Sequence, residues 1–396
     1  MKIARIERFP IAVKPVDEDL IHSGKSPDYA VIIIVHTDTG LTGLGEAAAI
    51  STDDSRSLPT LLKWLVVYQA ALTGADALNI NAAHYLLDQA SGQHPPGCHA
   101  ARAAVDMALH DIVGKARGCP VHEILGGKYR SEMELTIRIE GETPEEVAVS
   151  ARASVSQGFR GLKVGIGDKV LPAAQSIPQI EQKFRRLLAV LEAVGTDVYV
   201  DADANQSLGN PAVATMILER VLRKRYYANL ALQQPLHKLD FMGHAFLREK
   251  LLIPVILSES VVSTESMMQI ERVGAADRIE LNIGRVGGLF NALRIADICE
   301  AAAIGIGLAV PSYTGIGLAA HCHLAAALRD PFPLYIGARR RALQSLALGG
   351  PEIRDGRAIL RDVAGLGVAI DEDLLRSMAT HAGAEELYSY YDIAKA

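Results

Sequence analysis

Two hydrophobic patterns divide the chain into a first part with alternating segments and a second part with repeated short apolar runs. Residues 1–13 and 29–36 alternate at period two, and the turn at 37–40 leads into a third strand-like segment. Such alternation is typical of strands in a sheet with one buried face. The segment 100–117 instead has apolar residues at helical spacing and is followed by glycine and proline, which end helices. These patterns predict an antiparallel sheet followed by helices.

From about residue 132 a short apolar run followed by an amphipathic helix recurs along the chain. Alternation of this kind predicts parallel strands joined by right-handed crossovers. Eight such strands close into a barrel more naturally than they form an open sheet, and no Gly-x-Gly-x-x-Gly motif follows the first strand, which disfavours a nicotinamide oxidoreductase. The eight runs are 135–139, 161–164, 198–201, 230–232, 254–257, 278–281, 306–310 and 333–336.

The predicted fold class is therefore α/β, a modified (β/α) TIM-like barrel with an N-terminal α+β capping domain. The capping domain is expected at residues 1–130 and the barrel at residues 131–344. The tail, residues 345–396, returns to turn-rich sequence, and we expect it to pack back on the first domain and complete it.

Composition narrows the classes of partner. The chain of 396 residues is 49% hydrophobic and 22% charged, with a formal net charge of -6, which argues against nucleic acid or a membrane as the main partner because both favour a basic patch. The four cysteines are scattered without a Cys-x-x-Cys pair, which disfavours a zinc site or a disulfide framework. The first residues lack the order of a signal peptide. We therefore expect a cytoplasmic protein.

In a barrel of this type the catalytic groups lie where strands end and the following loops begin. The third strand ends with Asp201, Asp203 and Asn205, which alternate at period two and so point to one face, and the fifth ends with Glu259. Oxygen ligands on neighbouring strand ends make a hard site suited to Mg²⁺. The alternative is that such residues cap the helices that follow. For Asp203 and Glu259 together we favour a metal site, with Asp201 and Asn205 as further candidate ligands.

Two other polar features stand out. Lys163 ends the second strand and could neutralise a substrate carboxylate or act as a base, the alternative being a lysine that extends to the rim. His321 and His323 lie two apart in an apolar helical stretch, so they point to different sides of the helix. We interpret these histidines as structural rather than catalytic.

Ordered motifs spread over nearly the whole chain carry a family resemblance. The sequence resembles the enolase superfamily, specifically the mandelate racemase/muconate lactonizing branch that includes the dipeptide epimerases. The motifs are at residues 40–46 (GLTGLGE), 104–115 (AVDMALHDIVGK), 124–127 (ILGG), 158–163 (GFRGLK), 203–206 (DANQ), 234–235 (QP), 259–260 (ES), 287–288 (GG), 315–319 (GIGLA) and 364–367 (AGLG).

The resemblance implies a reaction class and a metal. In this family a bound Mg²⁺ coordinates the substrate carboxylate and stabilises the enediolate that forms when a base removes the α-proton. Residue by residue, the first metal carboxylate is Asp203, but the second position is Gln233 instead of glutamate. At the third, Ser258 stands in the first place and Glu259 in the second, as in racemase-like members. A site of Asp203, Gln233 and Glu259 has charge -2 instead of -3, so Mg²⁺ should bind more weakly.

The base positions of the family also differ here. The family's Lys-x-Lys motif reads Lys163-Val-Gly165, and the lysine or aspartate of the sixth strand is Asn282. The acidic position after the seventh strand is occupied by Tyr313. A simple epimerisation by two opposed lysines is therefore not expected. Lys163, Tyr313 and Asp201 are the remaining candidates for proton transfer, and Lys163, Tyr313 and Asn282 are the predicted catalytic positions.

The resemblance also points to a lid over the barrel mouth, formed by loops of the first domain. His22, Lys25 and Asp53 in these loops are candidate substrate contacts, although exposed loop residues are often only solvated. The expected partner is a small-molecule carboxylate. Oligomers are common in this family, so a homo-oligomer is compatible with the resemblance, but the residues themselves fix no state.

Two functions follow from these expectations. The first is a Mg²⁺-assisted isomerase or lyase (racemase, epimerase, cycloisomerase or dehydratase) that removes the α-proton of a small carboxylate such as an amino acid or dipeptide. The alternative is a barrel that has lost turnover and serves as a small-molecule binding or regulatory protein, because the lysines expected at residues 165 and 282 are absent.

Overall fold

The structure is a computed structural model. It describes residues 1–13, 28–49, 57–92, 94–167, 177–222, 228–310, 314–337 and 346–381.

The chain begins with a three-stranded antiparallel sheet packed against helices. The strands are β1 (Ile3–Val13), β2 (Asp28–Thr37) and β3 (Thr42–Ala49), in that order across the sheet. Gly43 and Gly45 on β3 let the sheet approach helix α3 closely, because a Cβ built at either glycine would overlap a backbone carbonyl of that helix. The helices are α1 (Leu58–Leu72), α2 (Ile80–Ser91), α3 (His99–Arg117) and the short α4 (Val121–Ile124).

Eight parallel strands follow and close into a barrel, which confirms the predicted fold. Each strand pairs with the next, and the last pairs back onto the first through Tyr335 and Thr136. Each of the eight predicted apolar runs overlaps one of these strands. They are β4 (Glu132–Ile139), β5 (Gly161–Gly165), β6 (Tyr199–Asp203), β7 (Leu230–Gln233), β8 (Val255–Leu257), β9 (Arg278–Leu281), β10 (Gly305–Val310) and β11 (Leu334–Ile336).

Helices connect the barrel strands on the outside. Their starts follow ordinary capping rules: Thr143 and Glu146 form a capping box at the first of them, satisfying backbone N–H groups that have no partner within the helix. The helices are α5 (Pro144–Ser156), α6 (Ile177–Val194), α7 (Pro211–Leu222), α8 (Phe241–Lys250), α9 (Thr264–Val273), α10 (Ile283–Val286), α11 (Leu289–Ala301) and α12 (Gly315–Ala327). Among the described residues, none of the helices combines the length and apolar character that crossing a membrane requires.

The described part of the tail contacts both the barrel and the first domain. Strands β12 (Ala347–Gly349) and β15 (Val368–Ile370) pair with each other. The hairpin of β13 (Glu352–Arg354) and β14 (Arg357–Ile359) pairs with the start of β4. In helix α13 (Glu372–His381), the guanidinium of Arg376 lies 5.1 Å from the ring centre of Phe9 on β1. The domain limits at residues 130 and 344 stay a prediction.

Buried carboxylates join the first domain to the barrel. Glu46 on β3 accepts hydrogen bonds from the backbone N–H of Thr314 (2.6 Å), the Thr314 hydroxyl (2.7 Å) and the Gly317 N–H (2.9 Å) at the start of α12. Asp106 on α3 accepts a hydrogen bond from the Leu289 N–H at the start of α11 (2.5 Å). Both carboxylates satisfy donors that a helix N-terminus leaves without a partner.

Candidate active site

The carboxyl ends of the barrel strands carry polar side chains in two layers. Lys163 on β5 is paired with Asp201 on β6. One step closer to the strand ends, Gly165 is paired with Asp203, and Asp203 is paired with Gln233 on β7. Because side chains two residues apart in a strand lie on the same face, both layers face the same side of the sheet.

Lys163 forms a buried ion pair with Glu280 of β9. Its Nζ donates to both Glu280 oxygens at 2.7 Å, and only 1% of the Lys163 side chain is exposed, so this lysine does not extend to the rim. Gln233 also donates to Glu280, at 2.6 Å. Burial alone would lower the pKa of Lys163, but Glu280 and the nearby aspartates raise it above its ordinary value. Lys163 is therefore an ammonium group at neutral pH.

Asp201 forms a second buried ion pair, with Arg278 of β9. Nη2 of Arg278 donates to Oδ1 of Asp201 at 2.7 Å. The guanidinium lies 4.4 Å from the ring centre of Tyr199 and 4.1 Å from that of Phe332, which is the usual geometry of a cation–π contact. The charge of Asp201 is thus already neutralised within the barrel.

Three oxygen-bearing side chains lie at the ends of successive strands. Asp203 ends β6, Gln233 ends β7, and Glu259 follows β8. Oε1 of Gln233 and Oε2 of Glu259 are buried without a hydrogen-bond partner among the described residues. Burial raises the pKa of Glu259, and the charge of Asp203 raises it further. Within the described ranges, no group of three or more His, Cys, Asp or Glu side chains is placed to hold a metal ion, so any metal would need the amide oxygen as well.

Glu259 is held in place by its neighbours. Oε1 of Gln234 accepts hydrogen bonds from the N–H groups of Ser258 (3.0 Å) and Ser260 (3.2 Å), on either side of Glu259. Nη1 of Arg285 donates to the carbonyl (2.8 Å) and hydroxyl (3.0 Å) of Ser258. Ser258 therefore binds a guanidinium at the position where the resembled family has aspartate.

Asn282 is the N-cap of helix α10. Its Oδ1 accepts hydrogen bonds from the backbone N–H groups of Gly284 (2.8 Å) and Arg285 (3.3 Å). A capping amide oxygen is a hydrogen-bond acceptor and has no proton to exchange at neutral pH. The structure thus gives Asn282 a role in fixing the strand-to-helix turn.

Arg138 of β4 lies over Gly165. A Cβ built at Gly165 would overlap Nη2 of Arg138 and lie 3.3 Å from its Cζ. Nη1 of Arg138 is 3.9 Å from Oδ2 of Asp203, and Tyr335 also lies close to Arg138. The position that carries the second lysine in the resembled family is therefore covered here by a guanidinium.

Comparison with known families agrees with this architecture. Residues 146–374 match the model described as enolase C-terminal domain-like. Residues 12–126 match that of the mandelate racemase/muconate lactonizing enzyme N-terminal domain. The chain belongs to the mandelate racemase/muconate lactonizing enzyme family.

Several proteins to which the chain is similar are named as racemases, epimerases or cycloisomerases. An N-succinyl-L-Arg/Lys racemase from Bacillus cereus is 28% identical over 389 residues, which cover 96% of this chain and 98% of that protein. The structure of muconate lactonizing enzyme from Pseudomonas putida superposes with a TM-score of 0.84 at 25% identity, covering 96% of this chain and 99% of that one. A dipeptide epimerase from Enterococcus faecalis, complexed with Mg and L-Leu-L-Tyr, has a TM-score of 0.79 at 26% identity, covering 93% and 100%.

The structure brings together only part of the predicted site. Lys163, Asp203, Gln233 and Glu259 lie at the carboxyl ends of neighbouring strands, as expected for this family. Four predicted residues lie outside the described part of the chain: His22, Lys25, Asp53 and Tyr313. Their roles, like those of the described site residues, stay predictions. Asn205, a further candidate ligand, has its backbone N–H bonded to Oδ1 of Asp203 at 3.1 Å.

The two histidines of helix α12 have the structural surroundings expected from the sequence. The Nδ1–H of His321 donates to the Gly317 carbonyl at 2.7 Å, and its Nε2 accepts from the Ile283 N–H at 3.2 Å. Nδ1 of His323 accepts from the His122 N–H at 3.2 Å. Burial lowers the pKa of His321 to about 4 and that of His323 to about 3. Both are therefore neutral at pH 7.

Sequence reasoning placed Glu280 at the end of the sixth strand without giving it a role, and it missed Arg138 and Tyr335. Arg138 stands near the end of the first barrel strand, so the strand-end rule would have found it had it been applied to that strand. Glu280 is two residues before Asn282 on β9, and thus on the same face. Tyr335 has no such signal, because an aromatic residue inside a short apolar strand looks like ordinary core.

Proposed function

We propose that this protein is a Mg²⁺-assisted isomerase or lyase that removes the α-proton of a small carboxylate, through an enediolate. The racemase, epimerase, cycloisomerase and dehydratase types all share this first step. The main support is the set of side-chain oxygens at three successive strand ends. Two of these oxygens are buried without a hydrogen-bond partner among the described residues. A buried polar oxygen without a partner is unfavourable, and a bound cation would satisfy both.

The residues present fit a magnesium ion. Asp203, Gln233 and Glu259 would hold it with oxygen atoms, the ligand type that Mg²⁺ prefers. The charge of -2 and the guanidinium 3.9 Å from Asp203 both predict weaker binding than at a site with three carboxylates. Bound there, Mg²⁺ would neutralise the negative charge that develops on the substrate carboxylate during proton removal.

Lys163 would supply a fixed positive charge next to this site. As an ammonium group it cannot accept a proton, but it is in direct contact with both oxygens of Glu280. If its proton passes to Glu280, the Lys163 amine becomes a base. Burial raises the pKa of Glu280, but the charge of Glu280 also raises the pKa of Lys163, so the proton stays on Lys163 in the protein without substrate. We propose Lys163 as the base and Glu280 as the group that accepts the proton of Lys163. Tyr313 is a further candidate for proton transfer.

The substrate is proposed to be an amino acid derivative or a dipeptide. This proposal is supported by the racemase and epimerase relatives, whose names specify N-succinyl-Arg/Lys and dipeptide substrates. His22, Lys25 and Asp53 remain the proposed substrate contacts from the first domain. We also propose that the protein works in the cytoplasm, as a homo-oligomer and without nucleic acid.

A second candidate is a barrel that binds a small molecule without turnover. The observation that favours it is that both remaining base positions are already bound: Lys163 is buried and paired with Glu280, and Asn282 caps a helix. Such a protein would bind ligand but leave its α-proton in place.

Deuterium exchange separates the two candidates. N-succinyl-L-lysine, L-Ala-L-Glu and L-Leu-L-Tyr would be incubated with the protein in D₂O, with and without Mg²⁺, and the α-proton followed by NMR. Magnesium-dependent loss of the signal supports the isomerase or lyase. Binding of one of these compounds without exchange supports the binding protein.

Magnesium binding by the same protein would be measured by calorimetry. Asp203→Asn should raise the dissociation constant about tenfold or more, because it removes one of two ligand charges. Asp362→Asn, an exposed aspartate bonded to Lys128, is the matched control and should bind as the wild type does. Equal affinity in Asp203→Asn and the wild type would place the metal elsewhere.

A further inference from the structure

Arg138 differs from the two buried cations of the barrel interior, Lys163 and Arg278, in its access to solvent. The side chain of Lys163 is 1% exposed and that of Arg278 is 6% exposed, whereas 31% of the Arg138 side chain is exposed. Lys163 and Arg278 each have a carboxylate oxygen at 2.7 Å. A molecule entering the mouth therefore meets Arg138 before the other two.

The carboxylate contacts of the Arg138 guanidinium within the described ranges are longer than those of Lys163 and Arg278. The carboxylates recorded near it are Glu140, 3.4 Å from Nε and itself largely exposed, and Asp203, 3.9 Å from Nη1. Neither forms the two parallel bonds with which arginine binds carboxylates most strongly. The fork of N–H donors thus keeps capacity for another planar anion.

Gly165 and Tyr335 set the position of this guanidinium. Gly165 is not in the left-handed region of backbone conformation, so the chain does not need glycine there for its φ angle. The glycine leaves space for the guanidinium in its present position, because a Cβ would overlap Nη2 at the end of the Arg138 side chain. The Tyr335 ring has Lys163 over its face, with Nζ 3.9 Å from the ring centre, and Tyr335 also lies close to Arg138.

We infer that Arg138, seated over Gly165 and against Tyr335, forms a binding subsite for a carboxylate group of the substrate. The inference rests on the proposed function and deepens it, since it gives the substrate a second cationic contact besides the metal. Arginine keeps its charge at all physiological pH values and cannot act as a base. Where the substrate lies next to Gly165 it thus meets a permanent cation that cannot take up its α-proton.

The subsite can be tested with a simple monocarboxylate. N-acetylglycine, a weak chelator of Mg²⁺, would be titrated into the magnesium-loaded protein and its dissociation constant measured by NMR or calorimetry. Arg138→Met should raise this constant about tenfold or more, because a charge-assisted bidentate contact is lost. Arg138→Lys, which keeps the charge without the fork, should give an intermediate value, and it serves as the test if Arg138→Met does not fold.

Magnesium affinity distinguishes a binding role of Arg138 from a purely structural one. Removing the cation 3.9 Å from Asp203 should tighten Mg²⁺ binding several-fold in Arg138→Met while N-acetylglycine binding weakens. A general loss of structure would weaken both.

Gly165→Ala tests the seat of the guanidinium. It should weaken N-acetylglycine binding in the wild-type background, because the added Cβ displaces Arg138, but have no further effect in Arg138→Met. The subsite is refuted if N-acetylglycine does not bind the wild type, if it binds Arg138→Met equally well, or if Gly165→Ala acts equally in both backgrounds. These results are independent of proton exchange: exchange without an Arg138 effect refutes the subsite alone, and an Arg138 effect without exchange refutes the proposed chemistry alone.

Discussion

At the residue scale, Lys163 and Glu280 each carry a buried charge that depends on the other. Removing one partner of a buried pair leaves an uncompensated charge and typically costs about 3–5 kcal/mol. We expect Lys163→Met to lower the free energy of unfolding by about this amount, measured by urea denaturation, and to abolish α-proton exchange.

The double variant Lys163→Met, Glu280→Gln is the control for this prediction. It removes both charges and keeps an oxygen that can accept the hydrogen bond from Gln233, which is 2.6 Å long in the wild type. We expect it to recover most of the lost stability but none of the exchange activity. If Lys163→Met were as stable as the wild type, the pair would contribute nothing to folding.

His321 predicts a dependence of stability on pH. Burial lowers its pKa to about 4 in the folded protein, against about 6.5 in an unfolded chain. As the pH falls below about 6.5 the unfolded chain takes up the proton first, so stability is lost progressively until the pH reaches about 4. At pH 5 this single histidine costs roughly 2 kcal/mol.

His321→Gln should therefore reduce the acid sensitivity of unfolding between pH 7 and 5. The measurement is the free energy of unfolding at the two pH values, compared with the wild type. His94→Gln, at an exposed position, is the matched control and should keep the wild-type profile. An unchanged profile in His321→Gln would mean that this imidazole is charged in the folded protein.

At the element scale, Asn282 fixes the turn from β9 into α10. Replacing an N-cap asparagine with alanine costs about 1 kcal/mol, whereas aspartate caps equally well. We expect Asn282→Ala to lose about that much stability and Asn282→Asp to lose little, as measured by urea denaturation. If the cap is the only role of Asn282, Asn282→Asp should retain exchange activity, and a loss of activity in that stable variant would restore the prediction of a catalytic role.

The elements were far more predictable from the sequence than the site. Eight apolar runs separated by amphipathic helices allow few topologies other than a closed parallel barrel, and the strand-end rule then selects Lys163, Asp203 and Glu259. The group that a strand-end side chain contacts cannot be predicted by the same rule. Asn282 is two residues after Glu280 and is therefore at an inward-facing position, yet its amide oxygen binds backbone N–H groups of the next helix.

Other parts of the site depend on pairs of residues that are distant in sequence. Gly165 reads as a missing lysine, and only the structure shows that its lack of a side chain makes room for Arg138 from another strand. Likewise, Lys163 reads as an available base until Glu280, 117 residues away, is found against it. No local periodicity encodes such pairings.

At the scale of the whole molecule, the first domain and the barrel are joined by buried carboxylates aimed at helix N-termini. Glu46 binds the start of α12 and Asp106 the start of α11. Asp111 on α3 also accepts hydrogen bonds from Leu44 of β3 and Leu366 of the tail, each at 2.9 Å. Because these carboxylates are buried, each joint is shielded from solvent and from salt. Loss of one of these carboxylates should therefore destabilise both of the segments that it connects.

Glu46 offers the sharpest test of this coupling. Glu46→Ala leaves the N–H groups of Thr314 and Gly317 without their acceptor, and we expect a loss of about 2–4 kcal/mol in the free energy of unfolding. Hydrogen exchange should show faster exchange of those two amides than of the barrel strands. Glu46→Gln keeps one acceptor oxygen and should lose less. If the Thr314 and Gly317 amides kept their protection in Glu46→Ala, the start of α12 would be held by the barrel alone, and the first domain would not stabilise this edge of the active site.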